Sequence, residues 1–278
     1  MKSLFLIWVV LFAGHFTPTR EFPLNEYPIL ISYKADIKPR KNQDYRRTEY
    51  VKLFIHPTES IFIDNKLWLL NRTSKRNLSP QDRAREVSMI GLPYFRFYLV
   101  KDYRENSTSI IEEHLNGGHN AFKQNSMTTE SWTILNSSDS TIVGLKAYKA
   151  ECQLGGRTWI AWFTPEIPIS DGPYKFSGLP GLILKLDSTE GDFSFHISGI
   201  QKQLPTEDLP DIPTYNLLSE NKFKEIQQMI SDNPFAKFQS KGNKIEGNIT
   251  VGDKVMTQEE YILFLKNDRK NSNYIEEN

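Results

Sequence analysis

Two adjacent glycines, Gly155 and Gly156, separate two β-prone runs, and this spacing constrains the fold more than any other feature of the sequence. The runs cover residues 142–154 and 157–163 and are rich in β-branched and aromatic residues. A two-residue connection between strands needs positive φ at its central positions, which glycine adopts without a steric penalty. The two runs are therefore predicted to pair as an antiparallel hairpin.

Similar alternation of apolar and polar residues recurs along the chain and predicts more strands. A second hairpin is predicted from residues 182–186 and 193–200, which flank a polar loop. Further strands are predicted at residues 29–37, 48–56, 60–64, 94–103, 109–115, 122–127 and 132–135. The pattern predicts an α+β fold: a mainly antiparallel, strongly curved sheet or open half-barrel, with two or three helices packed at its concave side or edge.

Three helix starts are visible. Ser79 is a suitable N-cap and is followed by Pro80, which favours the first helical turn. Ser219 precedes an amphipathic run, and Thr257 with Glu260 forms a capping-box pattern. Apart from the start at Ser79, residues 65–92 break the strand pattern.

The N-terminus has the layout of a secretory signal. Lys2 precedes an apolar run over residues 4–13, which is followed by a breaker region ending near Pro18. The run is about half of the ~20 residues that a membrane-spanning helix needs, so no permanent anchor is predicted. We expect a signal peptide at 1–19 and a single β-rich domain at 20–278. The mature chain would reside in the periplasm or outer cell envelope, or be secreted.

Charge and cysteine content limit the functions and the covalent cross-links that are possible. Lys plus Arg and Asp plus Glu both number 34, giving a formal net charge of +0, so no broad basic field is available for nucleic acid. The single cysteine, Cys152, excludes an internal disulfide. It is interpreted as a small buried apolar residue, with a reactive or intermolecular thiol as the alternative.

The stretch from 164 to 183 is unusually dense in proline and glycine. Leu179–Leu182 has Pro180 and Gly181 at the places that a type II turn requires. Another bend is expected at residues 171–173. Both bends would hold the intervening side chains at one place against the sheet. The structural positions predicted from these turns and the first hairpin are Gly155, Gly156, Gly172, Pro173, Gly178, Leu179, Pro180, Gly181, Leu182 and Ile183.

These residues resemble the GLPGLI family of exported Bacteroidetes proteins, which is named for the six residues that stand here at Gly178–Ile183. The lead-in over residues 155–173 is similar to the same family signature. Members tend to carry cysteine where Ala147 stands, whereas the cysteine here is Cys152. The resemblance implies an envelope or secreted location, and it does not indicate any particular catalytic activity.

Candidate binding residues cluster in and beside this stretch: Trp162, Glu166, Asp171, Tyr174, Lys175 and Phe176. Two carboxylates five residues apart suggest an acid pair, although carboxylates beside proline and glycine turns more often accept from backbone N–H groups. His114 and His119 flank a loop and are interpreted as a metal pair or as a solvated turn. No catalytic residue, metal or cofactor is assigned.

Three functions remain open. The first is a non-catalytic envelope protein that binds a hydrophobic or peptide-like ligand, or a partner protein. The second is an uncharacterised hydrolase or metal-dependent enzyme that uses Glu166, Asp171 or His196. The third is an accessory to an outer-membrane transport system.

Overall fold

The fold is α+β and is dominated by one large, mainly antiparallel sheet that is not closed into a barrel. The computed structural model describes residues 28–113, 118–125, 131–233, 249–251, 254–270, 272 and 275. The predicted signal peptide and His114 lie outside the described residues. The signal peptide and the metal pair of His114 with His119 therefore remain predictions.

The main sheet has twelve strands. They are β1 (Ile29–Ile37), β2 (Arg47–Ile55), β3 (Glu59–Asp64), β4 (Phe97–Asp102), β5 (Ser107–Glu113), β6 (His119–Gln124), β7 (Thr133–Ile142), β8 (Leu145–Leu154), β9 (Arg157–Thr164), β10 (Leu182–Ser188), β11 (Phe193–Lys202) and β12 (Tyr215–Leu218). Their order is β12-β6-β5-β4-β3-β2-β1-β11-β10-β9-β8-β7. Only the β12–β6 pair is parallel. A separate ribbon pairs β13 (Ile249–Val251) with β14 (Lys254–Met256).

Both predicted hairpins are confirmed. β8 pairs with β9 across Gly155 and Gly156, whose φ values are 59° and 76°. β10 pairs with β11 as expected. The β-prone run over residues 142–154 is divided in the structure, because Val143 and Gly144 also have positive φ and turn the chain from β7 into β8.

Four α-helices lie within the described residues: α1 (Asn65–Lys75), α2 (Pro80–Ile90), α3 (Glu220–Asp232) and α4 (Gln258–Lys270). The starts of α2 and α3 at Ser79 and Ser219 are confirmed by side-chain caps. The capping box of Thr257 with Glu260 also forms. Helix α1 was not predicted; its N-cap, Asp64, is also the last residue of β3.

The sheet curves around an inner core. Phe95, just before β4, and Phe195, on β11, have ring centroids 6.3 Å apart. These strands are four places apart in the sheet order, a separation of roughly 19 Å if the sheet were flat. The inner face is therefore concave. Its core is filled by buried residues from β1 to β3 and from β8 to β11.

The outer, convex face is covered only in part by described helices. Under α1, Phe54 of β2 packs near Trp68, with ring centroids 6.1 Å apart, and Leu30 and Ile61 belong to the same cluster. Helix α1 lies on the convex face and not at the concave side or edge where helices are expected, because the inner face is already filled by the sheet's own side chains and the proline-glycine stretch. α3 packs against β6, the strand next to the edge strand β12.

Candidate functional site

Residues 165–181, the motif segment, connect β9 to β10 and fold over the inner face. Consecutive tight turns shape its first half: Ile169 N donates to Ile167 O and Asp171 N donates to Ile169 O, both at 2.8 Å. Two bonds then tie the segment to β10, from Leu182 N to Ile167 O (3.0 Å) and from Ile183 N to Asp171 O (2.9 Å). The segment is thus joined to the sheet by its backbone.

The turn at Gly181 differs from the predicted type II turn. Gly181 N donates to Leu179 O at 2.8 Å, which closes a three-residue turn around Pro180. Leu182 N bonds Ile167 O instead of the Leu179 carbonyl. Gly181 has φ +149°, and a Cβ there would lie 2.0 Å from Thr164 O. Glycine is required because backbone approaches backbone at this point.

A buried carboxylate, Asp171, anchors the segment. Its Oδ1 accepts from the Lys101 ammonium and from Gly172 N at 2.6 Å. Its Oδ2 accepts from Ser60 Oγ and from Tyr103 OH, the latter at 2.6 Å. Both side chains of the ion pair are 0% exposed. We call Ser60, Lys101, Tyr103 and Asp171 the Asp171 clamp.

The ammonium of Lys101 is equally well satisfied. Besides Asp171, its Nζ donates to Gly172 O at 2.8 Å and to Phe176 O at 3.2 Å. Burial lowers the pKa of Lys101, and the neighbouring Asp171 carboxylate opposes that shift. The three N–H donors of the ammonium group thus face three oxygen acceptors, so all of its hydrogen-bonding capacity is used within the protein. This geometry is that of a structural anchor.

Sheet pairing explains how the clamp assembles. Ser60 and Lys101 are direct partners across β3 and β4. Tyr103 follows Lys101 by two residues and so points to the same face. Tyr33 extends the network from β1 by donating to Ile183 O at 2.7 Å. Burial, and then the charge of Asp171, raise the pKa of Tyr33 well above its usual 10.0.

Aromatic packing secures the rest of the motif segment. Tyr174 has φ 54°, which is uncommon for a residue with a Cβ, and its ring lies 6.3 Å from that of Phe62 and 6.1 Å from that of Phe97. The Phe176 ring lies 4.8 Å from that of Trp159. These rings fill the concave interior.

The predicted binding residues do not form one surface. Asp171, Tyr174, Lys175 and Phe176 are buried within the inner core or its edge. Trp162 is half-buried: its alternation with the inward-facing Ala161 and Phe163 places it on the outer side of β9, and it also packs against the inner core cluster. Four of the candidates are therefore parts of the protein's own interior.

The two carboxylates in the segment both accept from the backbone. Glu166 is exposed, and its Oε1 accepts from Lys146 N at 2.7 Å, while Asp171 accepts from Gly172 N. His196 lies on the outer face, where its Nε2 is 2.9 Å from Asp187 Oδ1. The three residues proposed for an enzyme thus do not converge.

Sequence reasoning missed a row of side chains on the outer face. Strand register places one residue from each of six neighbouring strands in line: Tyr50, Lys34, His196, Lys185, Trp162 and Lys149. We call this the open row. Tyr50 is 54% exposed, and the Lys34 and His196 side chains are 47% and 48% exposed. The alternating pattern revealed each strand but not the register that aligns these residues.

A second row of acceptors runs beside the open row. Lys34 and Lys185 each lie 3.0 Å from a carboxylate two residues along the same strand, those of Asp36 and Asp187. Burial raises the pKa of Asp187, but hydrogen bonds from His196 and Lys185 outweigh burial, so the pKa lies below its usual value. The outer face therefore presents donors and acceptors side by side.

Two further properties concern cofactors and membranes. No group of three or more His, Cys, Asp or Glu side chains suited to a metal ion occurs in the part of the chain that the structure describes. Within the same residues, no helix has both the length and the apolarity that a bilayer crossing requires. Cys152 is buried.

Part of the chain is similar to one protein family of unknown function. A family model described as "Protein of unknown function (Porph_ging)" matches residues 117–185, which run from the β5–β6 connection into β10 and include the motif segment. No curated protein matches this chain.

Solved structures show a shared fold. Crystal structures of PNGF-II in space groups P21 and C2 both match with a TM-score of 0.52, at 14% and 13% identity. Each match covers 71% of this chain and 32% of PNGF-II, so this chain spans about a third of that protein's length. At such low identity, the likeness concerns the fold alone.

Proposed function

We propose that this chain is an exported, non-catalytic binding or accessory protein of the cell envelope, and that it binds its partner through the open row. The observation that carries the proposal is the division of polar groups between the two faces. The clamp turns Asp171 of the motif segment inward, where its carboxylate accepts from Lys101, Tyr103 and Gly172 N. The side chains of Tyr50, Lys34 and His196 are instead exposed in line on the outer face.

Export and family membership are parts of the same proposal. The signal-like layout at residues 1–19 supports delivery across the inner membrane. The six residues Gly178–Ile183 support membership of the GLPGLI group of exported envelope proteins. Backbone hydrogen bonds suggest a structural role for that signature, because Leu182 N donates to Ile167 O and Ile183 N donates to the carbonyl of Asp171, the residue that the clamp anchors.

The sequence predicts a hydrophobic or peptide-like ligand, or a partner protein, and a curved sheet could hold an apolar ligand on its concave face. In this fold the concave face is filled by buried side chains such as Phe62, Trp159 and Phe195. The polar outer row favours a hydrophilic partner instead. The arrangement does not favour the enzyme alternative, because Glu166, Asp171 and His196 lie in separate environments.

Site-specific photo-crosslinking in cells tests the proposal. The full chain is expressed with benzoylphenylalanine at Tyr50, in the open row, or at Tyr45, which is also exposed but lies outside the row. We expect an envelope-fraction adduct from position 50 and none from position 45. Equal labelling at both positions, or retention of the chain in the cytoplasm, would refute the proposed function.

A further inference from the structure

The open row has the dimensions of an extended binding track. Tyr50 lies on β2 and Trp162 on β9, with β1, β11 and β10 between them in the sheet order. Four inter-strand steps of about 4.8 Å separate their backbones by roughly 19 Å. The strand spacing is comparable to the length of one sugar unit, so successive strands would meet successive units of a polymer.

The charges of this face balance. Three lysines of the open row, at positions 34, 185 and 149, have carboxylates two residues along their own strands, at Asp36, Asp187 and Glu151. Register aligns these three acids in the neighbouring row, through Ser194 and Ile160. A ligand lying across both rows would therefore meet alternating donors and acceptors and no net charge.

This balance argues against several classes of partner. Nucleic acids and other polyanions require an excess of basic residues, which the paired rows lack. Lysine and aspartate are depleted at the centres of protein interfaces, whereas here they form the centre of the open row and of the acidic row beside it. A lipid surface would need a contiguous apolar patch, and the aromatic residues stand only near the two ends.

The class of ligand that remains is a neutral, hydroxyl-rich polymer. Neighbouring ammonium and carboxylate groups, such as Lys185 and Asp187 at 3.0 Å, can donate to and accept from adjacent hydroxyls of one sugar. The C–H face of a sugar ring packs on an aromatic ring, and Tyr50 and Trp162 provide such rings. We infer that the open row binds an extended, uncharged polysaccharide, an inference that rests on the proposed binding function.

Affinity gel electrophoresis of the mature chain tests the inference. The gels contain one of four neutral polymers, namely dextran, laminarin, galactomannan and xyloglucan, or alginate as a polyanion. At least one neutral polymer should retard the wild-type chain, equally at low and high salt. Tyr50→Ala and Trp162→Ala should each weaken retardation about tenfold, whereas Tyr45→Ala should leave it unchanged.

Thermal unfolding of each variant separates loss of binding from loss of fold, and the exposed Tyr50 provides the variant that spares the core. Retardation by alginate alone, by no polymer, or with equal strength in all variants would overturn the polysaccharide assignment. The crosslinking experiment is independent of this result. A position-50 adduct that is protease-sensitive and contains no carbohydrate would preserve the proposed binding function while excluding the polysaccharide.

Discussion

Replacing Lys101 by methionine tests whether the Asp171 clamp holds the motif segment in place. Methionine keeps much of the aliphatic length of lysine but removes the ammonium. Asp171 would then remain in a fully buried position with donors from Ser60, Tyr103 and Gly172 N only. Two backbone carbonyls, of Gly172 and Phe176, would also lose their donor.

The expected cost is large. Removing one partner of a buried ion pair typically costs about 3–5 kcal/mol, because the other charge stays uncompensated. Both side chains are 0% exposed, so solvent screening does not reduce this figure. Each kcal/mol corresponds to about 2–4 °C in Tm for a domain of roughly this size, so Tm should fall by roughly 6–20 °C.

The assay is urea unfolding at pH 7, followed by circular dichroism. Lys149→Met makes the same replacement at a half-buried lysine on the outer face and should change the free energy of unfolding by no more than about 0.5 kcal/mol. The double variant Lys101→Met/Asp171→Asn should cost less than the sum of its single variants, by about 1–3 kcal/mol. If Lys101→Met matched Lys149→Met, or if the two clamp substitutions were additive, the clamp would not be the anchor.

Two further predictions concern the same segment. Gly181→Ala should destabilise the protein by about 3–5 kcal/mol, because its Cβ would lie 2.0 Å from Thr164 O and φ is +149°, whereas Gly199→Ala, with nothing within 4 Å, should be near neutral in thermal unfolding. Equal melting temperatures for these variants would contradict the close approach. Tyr33→Phe removes the hydrogen bond to Ile183 O and should cost about 1–3 kcal/mol at pH 8. The pKa of Tyr33 is higher in the folded state than in the unfolded state, so the contribution of Tyr33 to stability is complete below pH 10. This contribution is lost as the pH rises further, because the tyrosine ionises first in the unfolded chain. The deficit of Tyr33→Phe should therefore shrink between pH 8 and pH 11 in urea titrations, and a constant deficit would count against it.

Much of the local structure could be predicted from neighbouring residues. Gly155 and Gly156 form the expected hairpin turn, and Ser79 and Ser219 cap the expected helices. Helix α1 was missed because its cap, Asp64, ends a strand and begins a helix at the same residue. Such a dual role leaves no separate start signal in the sequence.

The candidate site was predictable only in part. The sequence singled out Asp171 but not its side-chain partners, because Ser60, Lys101 and Tyr103 lie 111, 70 and 68 residues away along the chain. A carboxylate beside a glycine-proline bend looks the same whether it faces solvent or a buried lysine. Its role depends on which strands lie opposite.

The sequence by itself determined the hairpins, the helix caps and the two alternating faces of each strand, because the period of side chains along a strand follows from the covalent backbone. Only the tertiary structure decided strand order, register and curvature, which bring distant residues together. These long-range pairings buried Asp171 against Lys101 and aligned Tyr50 with Trp162 on the outer face. Local sequence carries no record of such pairings, because the same alternating pattern fits more than one register.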